Sequence, residues 1–435
     1  MPDNVWRGDA QAIAQVGTLT FAGTMTVSDW YETVINRKKV RLTITADITT
    51  PEEAAAALKL LLDDFDETEF REVTWNYTDG DDFLSPTAAD PGVPHEIDTD
   101  TNVGSDGTLT YVETVGSEGP EDASIPENWS LGTAPANGET LIWPADSGPC
   151  RYGLDFTGVT PAAVRAYSKV IGLPDRTGDT DSGGYVEYRN KSLIFTACAD
   201  VKVGDPDFDS PDLVRIHLLS TSGTTFVCNC GGGVVTDTSG PPVRLTSAVS
   251  AGVGHTIYNL SGSLGLASGD GEGIKILALF NGTYSEIENS VGAEDESAQT
   301  HIGRGAAVAT AATVNSGTIR ADVAVTTVTI MAAAVWSQRS GVPTTVICYP
   351  GGTFDLRSGG TITTATFSGA IFDLTGSIEP VTVTTLTAKS AGELPSKVQD
   401  PHKRLKAGST SNIITDRLTV ANSDFGAEFT LGFVA

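Results

Sequence analysis

Four carboxylates stand where paired acids could do chemistry: Asp355 and Asp373 within "GGTFDLRSGGTITTATFSGAIFDLTGS" (residues 351–377), and Glu286 and Glu288 within "TYSEIEN". Glycoside hydrolysis needs one carboxyl as acid and a second as base or nucleophile, roughly 5–9.5 Å apart, a separation that neighbouring strands can supply. A solvated face accounts for the same four residues, and sugar-stacking aromatics are sparse in this half of the chain. Catalysis is therefore the lesser expectation, and no catalytic residue is assigned. Two further stretches alternate oxygen ligands as calcium requires: Asp205, Asp207, Asp209 and Asp212 in "GDPDFDSPD", and Asp98, Asp100, Asn102 and Asp106 in "DTDTNVGSD". Neither carries the mid-loop Gly and closing Glu of an EF-hand, so acidic turns are expected ahead of metal sites, and no cofactor is expected.

The remaining reactive residue types are scattered. Cys150, Cys198, Cys228, Cys230 and Cys348 are an odd number and form no disulfide framework. Cys228 and Cys230 alternate along a strand-like run and should share one face as buried thiols. His95, His217, His255, His301 and His402 lie far apart in sequence, with no nucleophile arranged beside them.

The elements that must position these residues are short strands. Gly is abundant, with 47 residues, aromatics make up 7%, and Thr, Ser, Val and Ala dominate after residue 190. Such a mixture favours strands joined by tight turns over helices. Phe-Asp-Leu occurs twice in residues 351–377, eighteen residues apart. A motif of a small residue or Asn, then Gly, a small residue and an apolar one recurs around Gly262, Gly282, Gly317, Gly352 and Gly369, at intervals of 20, 35, 35 and 17. Intervals near one or two units of such a length mark a solenoid. In a parallel β-helix Phe354 and Phe372 stack inside, one coil apart, the glycines mark positive-φ turns, and Asp355 and Asp373 face solvent or sit at a corner, because like charges at coil spacing repel. The rival architecture is an array of β-sandwiches.

The N-terminal part reads differently. Residues 17–78 supply strands in "GTLTFAG" and "KKVRLTITADI", then a helix, then a strand in "FREVTWNYT", which is a small α+β domain of order strand-strand-helix-strand. The helix start is legible: Thr50 as cap, Pro51 at the first position and Glu53 completing a capping box. Residues 79–127, rich in Asp, Glu, Gly, Pro and Ser, read as an acidic linker or long loop region with one strand-like piece in "GTLTYVETV". Residues 1–16 read as an anchoring segment in which Trp6 reaches a partner. The mainly β body is expected over 128–395 and a C-terminal segment over 396–435.

The formal net charge of −28 repels nucleic acid phosphates and anionic membranes, so neither is expected as a partner. Two basic clusters oppose this background, Arg37, Lys38, Lys39 and Arg41, and Lys397, Lys403, Arg404 and Lys406, and are expected to dock on acidic neighbours. No apolar run reaches the roughly 20 residues of a membrane span, and no apolar leader opens the sequence, so synthesis in a cytoplasm is expected.

Three stretches carry a resemblance. "WRGDAQAIAQV" followed by the small domain resembles the start of structural proteins encoded in tailed-phage and prophage gene clusters. "NWSLGTAPANGETLIW", "GLDFTGV" and "IGLPDRTGDTDSGGYVEYR" are similar to the β-helical continuation of the same proteins. These segments cover about a third of the chain. Where such relatives have an Asn-Gly hairpin, this chain has Asn36-Arg37-Lys38-Lys39. The resemblance implies a virion component, such as a head decoration, a fibre or a tail protein, whose partners are capsid or tail proteins. It also implies a homotrimer. A glycan-cleaving tailspike acting on host surface glycan, and a bacterial surface adhesin, are the alternatives.

Overall fold

The structure, a computed structural model, describes residues 2–35, 38–102, 106–173, 192–204, 211–221, 223–230, 241–248, 254–267, 282–289, 298–368, 370–373, 377, 379, 381–388, 398–399 and 418–425. Among these residues the chain forms a parallel β-solenoid and a smaller antiparallel domain. The expected β-helix-like body is present, and the sandwich array is not. The deciding feature is register: every strand pair of the solenoid is parallel, as stacked coils require and antiparallel sandwiches do not.

Among the described residues the solenoid has two sheets, one of 13 strands and one of 12, and the chain passes between them on each coil. Thirteen rungs at about 4.8 Å each give a rod about 60 Å long. Thr327 pairs with Thr345, Val335 with Thr353 and Thr353 with Ile371, so these coils repeat every 18 residues. That spacing explains the doubled Phe-Asp-Leu. Inside the first sheet Val328, Val346, Ala365 and Leu386 stand above one another; inside the second, Ile319, Trp336, Phe354 and Phe372 do so. All eight are buried in one continuous core. Phe354 and Phe372 meet at 5.5 Å between ring centroids, as expected from the repeat, and Phe367 of the first sheet stacks on Phe372 of the second at 5.2 Å.

The repeated glycines divide into two kinds. Gly317 has φ of +72°, the left-handed turn expected of it. Gly352 does not have a positive φ; a Cβ there would lie 2.8 Å from the Met331 carbonyl, so glycine serves close packing of one coil on the next. Gly369 lies outside the described residues.

The small domain contains two antiparallel sheets. One orders the strands Val73–Asn76, Phe83–Ala88, Val16–Ala22 and Thr108–Val115; the other orders Lys38–Thr43, Trp30–Ile35 and Ile97–Thr101. The helix Pro51–Asp63 lays Ala54, Ala55, Leu58 and Leu62 on a core with Leu19, Phe21, Tyr31, Leu42, Phe70 and Trp75. Its capping box forms as read: Glu53 N–H donates to Thr50 Oγ1 at 3.3 Å, and Thr50 N–H donates to Glu53 Oε2 at 3.2 Å.

Two expectations about organisation are corrected. Residues 79–127 are not a linker or loop region, for besides Thr108–Val115, the strand-like piece read in the sequence, they supply Phe83–Ala88 and Ile97–Thr101 to the small domain. Ile97–Thr101 lies at a sheet edge with Asp98 and Asp100 exposed, and an edge strand with carboxylates turned to water has the composition of a loop. Residues 2–15 are not a separate segment either. Asp3–Val5 pairs in parallel with Thr140–Trp143 and so forms the outermost strand of the 13-stranded sheet.

Candidate functional site

Trp6 is 1% exposed, and the partner it was expected to reach is its own chain. Its ring packs edge-on against Trp129, whose ring packs edge-on against Trp143, with centroid distances of 5.4 and 5.1 Å. The reason is the open end of the solenoid: a rod of stacked coils leaves its last apolar layer uncovered unless something plugs it. Asn128 ties the plug down. It is fully buried, accepts from Ala10 N–H at 2.8 Å through Oδ1, and donates through Nδ2 to the Gly119 and Asp122 carbonyls, both at 2.8 Å. Trp129 Nε1 donates to the Ala123 carbonyl at 2.8 Å. Residues 2–15 and 119–143 thus form one cap, and the small domain grows out of it between Val16 and Val115.

The basic cluster of the small domain is largely spent on internal partners. Lys38 pairs with Glu67 at 2.9 Å, and Lys39 with Glu32 at 2.8 Å. Arg41 Nε donates to Glu32 at 2.8 Å while its guanidinium lies 4.2 Å from the centroid of Trp30. The hydrogen bond from Lys39, with that from Arg41, outweighs burial and holds the Glu32 carboxyl below the usual carboxylate range. Arg37, Lys397, Lys403, Arg404 and Lys406 lie outside the described residues.

The acidic clusters do not converge. Asp205, Asp207 and Asp209 lie outside the described residues, and Asp212 is exposed. Asp98 and Asp100 accept from the backbone N–H of Thr99 and Thr101, at 2.8 and 2.9 Å, and Asn102 accepts from Trp30 N–H at 2.9 Å. Among the described residues no three His, Cys, Asp or Glu side chains gather as metal ligands. Cys228 and Cys230 do share a face, with sulfurs 3.3 Å apart, both buried and neither in a disulfide.

The four carboxylates fall on different faces of the rod. Glu286 and Glu288 belong to the first sheet, where Glu288 accepts from Asn315 Nδ2 at 2.6 Å. Asp355 and Asp373 are register partners on the second. Asp355 points away from the core, as its strand parity requires, yet it is only 9% exposed. Ser337 Oγ donates to it at 2.8 Å and Arg357 Nε at 2.9 Å, and Arg357 covers it from solvent. A carboxylate straddled by two donors is built to accept, which suits a structural clamp more than a proton donor.

A longer polar row, unread from the sequence, runs along this face. His301, Arg320, Ser337, Asp355 and Asp373 occupy one register column on successive rungs. Two positions on, Asp322 accepts from His301 Nε2 at 3.0 Å and lies 3.5 Å from Arg320 Nε. Burial opposes the charged form of Asp322, but the hydrogen bond and charge of His301, together with Arg320, prevail and lower its pKa. The signal was present as polar residues recurring at 17 to 19 residues, at strand positions alternating with buried ones. Neither a protein-family model nor a curated protein matches the chain.

Proposed function

We propose that this protein is a structural component of a tailed-phage virion, attached through its N-terminal region and projecting the β-solenoid as a stiff rod. The observation that carries the reading is the cap. Two of the stretches that carry the sequence resemblance, around Trp6 and from Asn128 to Trp143, lie far apart in sequence and come together as one plug. With that plug in place, the rod has a finished end that bears a folded domain. The domain itself offers an attachment surface: Leu60 and Leu61 on its long helix are 71% and 40% exposed.

We further propose that the rods associate as homotrimers through the first sheet. Its outward positions between residues 327 and 387 include Thr327, Thr329, Thr345, Ile347, Thr364, Thr366, Thr385 and Thr387, in register. None is charged, in a chain with 55 acidic and 27 basic residues. A flat uncharged face of this kind packs against copies of itself without stranding charges.

Purified particles from a producing culture provide the test. Mass spectrometry should find the chain in them, and antibodies against residues 17–115 should decorate them; absence from particles would sink the reading. Light scattering of the purified protein should give about three times the 45.3 kDa chain mass. A monomer at micromolar concentration would remove the trimer.

A further inference from the structure

Three arginines stand on consecutive rungs of the second sheet's outer face. Arg320 is the register partner of Ser337, and Ser337 of Asp355. Arg339 and Arg357 follow directly on their strands, their backbone N–H groups donating to Ala321 O at 2.8 Å and to Gln338 O at 2.9 Å. The turns holding the last two repeat as Arg339-Ser340-Gly341 and Arg357-Ser358-Gly359, one coil apart. Rungs are about 4.8 Å apart, so cations stacked this way repel one another unless oxyanions lie among them.

Two of the three have such an oxyanion. Arg357 Nε donates to Asp355 at 2.9 Å, and Arg320 Nε lies 3.5 Å from Asp322. Arg339 differs. Among the described residues its guanidinium makes one hydrogen bond, from Nε to Ser337 Oγ at 3.1 Å, and no ion pair. Ser337 in turn donates to Asp355, so the Nε edge is held through a neutral relay. The two terminal nitrogens of this exposed side chain remain for a ligand. Partial burial, and then the charges of Arg357 and Arg320, push its pKa below the usual guanidinium range against the smaller opposing pull of Asp355 and Asp322, neither of which it pairs with.

We propose that Arg339, flanked by Arg320 and Arg357, is the centre of an oxyanion site that takes the carboxylate of an acidic sugar. A guanidinium edge matches a planar carboxylate through two parallel N–H donors. In a protein of net charge −28, a singly charged carboxylate meets less long-range repulsion than a doubly charged phosphate. The site does not rest on the virion reading, for it is a property of this face alone.

Calorimetric titration of the whole chain at low salt with sodium glucuronate, sodium sulfate and glucose tests it. Glucuronate should bind saturably and more tightly than sulfate, and glucose should not bind. Arg339→Gln should weaken glucuronate about tenfold or more with an unchanged circular dichroism spectrum, and Arg339→Lys should fall between, keeping charge but losing the paired donors. Arg151→Gln, remote at the cap and paired with Glu121, should bind as the parent does. Equal binding by parent and Arg339→Gln, or by parent and Arg339→Lys should the first variant not fold, overturns the proposal. So does sulfate binding as tightly as glucuronate, or no binding of either ion. A fall in oligomer mass on Arg339→Gln without glucuronate binding to the parent would also overturn it, assigning the residue to a contact between copies.

Discussion

Trp6 and Trp129 meet edge to face with ring centroids 5.4 Å apart, although 122 positions separate them in the sequence. The contact closes the end of the rod, so its loss should be felt by the solenoid first. Trp6→Ala is expected to cost about 3–5 kcal/mol of solenoid stability, the range for emptying a buried aromatic site. Denaturant unfolding followed by Trp fluorescence checks this. A cost under about 1 kcal/mol would mean that the plug is dispensable.

Phe372 sits between Phe354 of its own sheet and Phe367 of the other. Phe372→Ala removes both ring contacts and leaves a cavity between the sheets, for an expected loss of about 3–5 kcal/mol. Phe372→Leu should recover most of it. The measurement is the shift in denaturation midpoint at unchanged slope, and a larger loss for Leu than for Ala would contradict the packing.

Glu69 is 1% exposed and neither carboxylate oxygen has a hydrogen-bond partner among the described residues. Burial raises its pKa above the usual value. The folded state therefore binds the proton more tightly than the unfolded state, and this group's contribution to stability is present at low pH and lost as pH rises through the folded pKa. Glu69→Gln should be more stable than the parent at pH 7 by about 1–3 kcal/mol. The gain should shrink as pH falls through the raised folded pKa and reach its minimum near the ordinary glutamate value of about 4.3. Paired denaturation curves from pH 4 to 8 test it, since the other carboxylates cancel in the difference. A constant gain across that range would reject the assignment.

Thr50→Ala removes the side-chain acceptor of the helix cap and leaves the reciprocal bond from Thr50 N–H to Glu53 intact. A loss of about 0.5–2 kcal/mol is expected, confined to the small domain. Hydrogen exchange at Glu52 to Ala54 reports it directly, and unchanged protection there would argue against the cap.

What could be read in the sequence depended on whether a signal was local or periodic. The capping box is four adjacent residues obeying one rule, and it formed as read. The Phe-Asp-Leu repeat is periodic, and it placed Phe354 over Phe372 in the correct register. Trp6 failed because its burial is decided by Trp129 and Trp143, which no local pattern connects to it. Ile97–Thr101 failed for another reason: pairing with Trp30–Ile35 outweighs the poor strand propensity of its aspartates. Asp355 was placed correctly on the outer face, but its shielding came from Arg357 and Ser337, each known only once coils are stacked. The arginine row was missed because its three members occupy two register columns, so no single spacing picks them out.

The pairing of Asp3–Val5 with Thr140–Trp143 sets an order of events during synthesis. On a ribosome the outermost strand emerges first and must wait, unpaired, until residues 140–143 have left the exit tunnel. The small domain, encoded in between, can fold during that interval and draw the two halves of the cap together. Each later coil then has a finished rung to add to, and growth proceeds one coil at a time away from the plug. A ribosome stalled with Val115 outside the exit tunnel and Thr140–Trp143 still inside should therefore carry a folded small domain beside a protease-sensitive Trp6, and one stalled a few coils later should protect both.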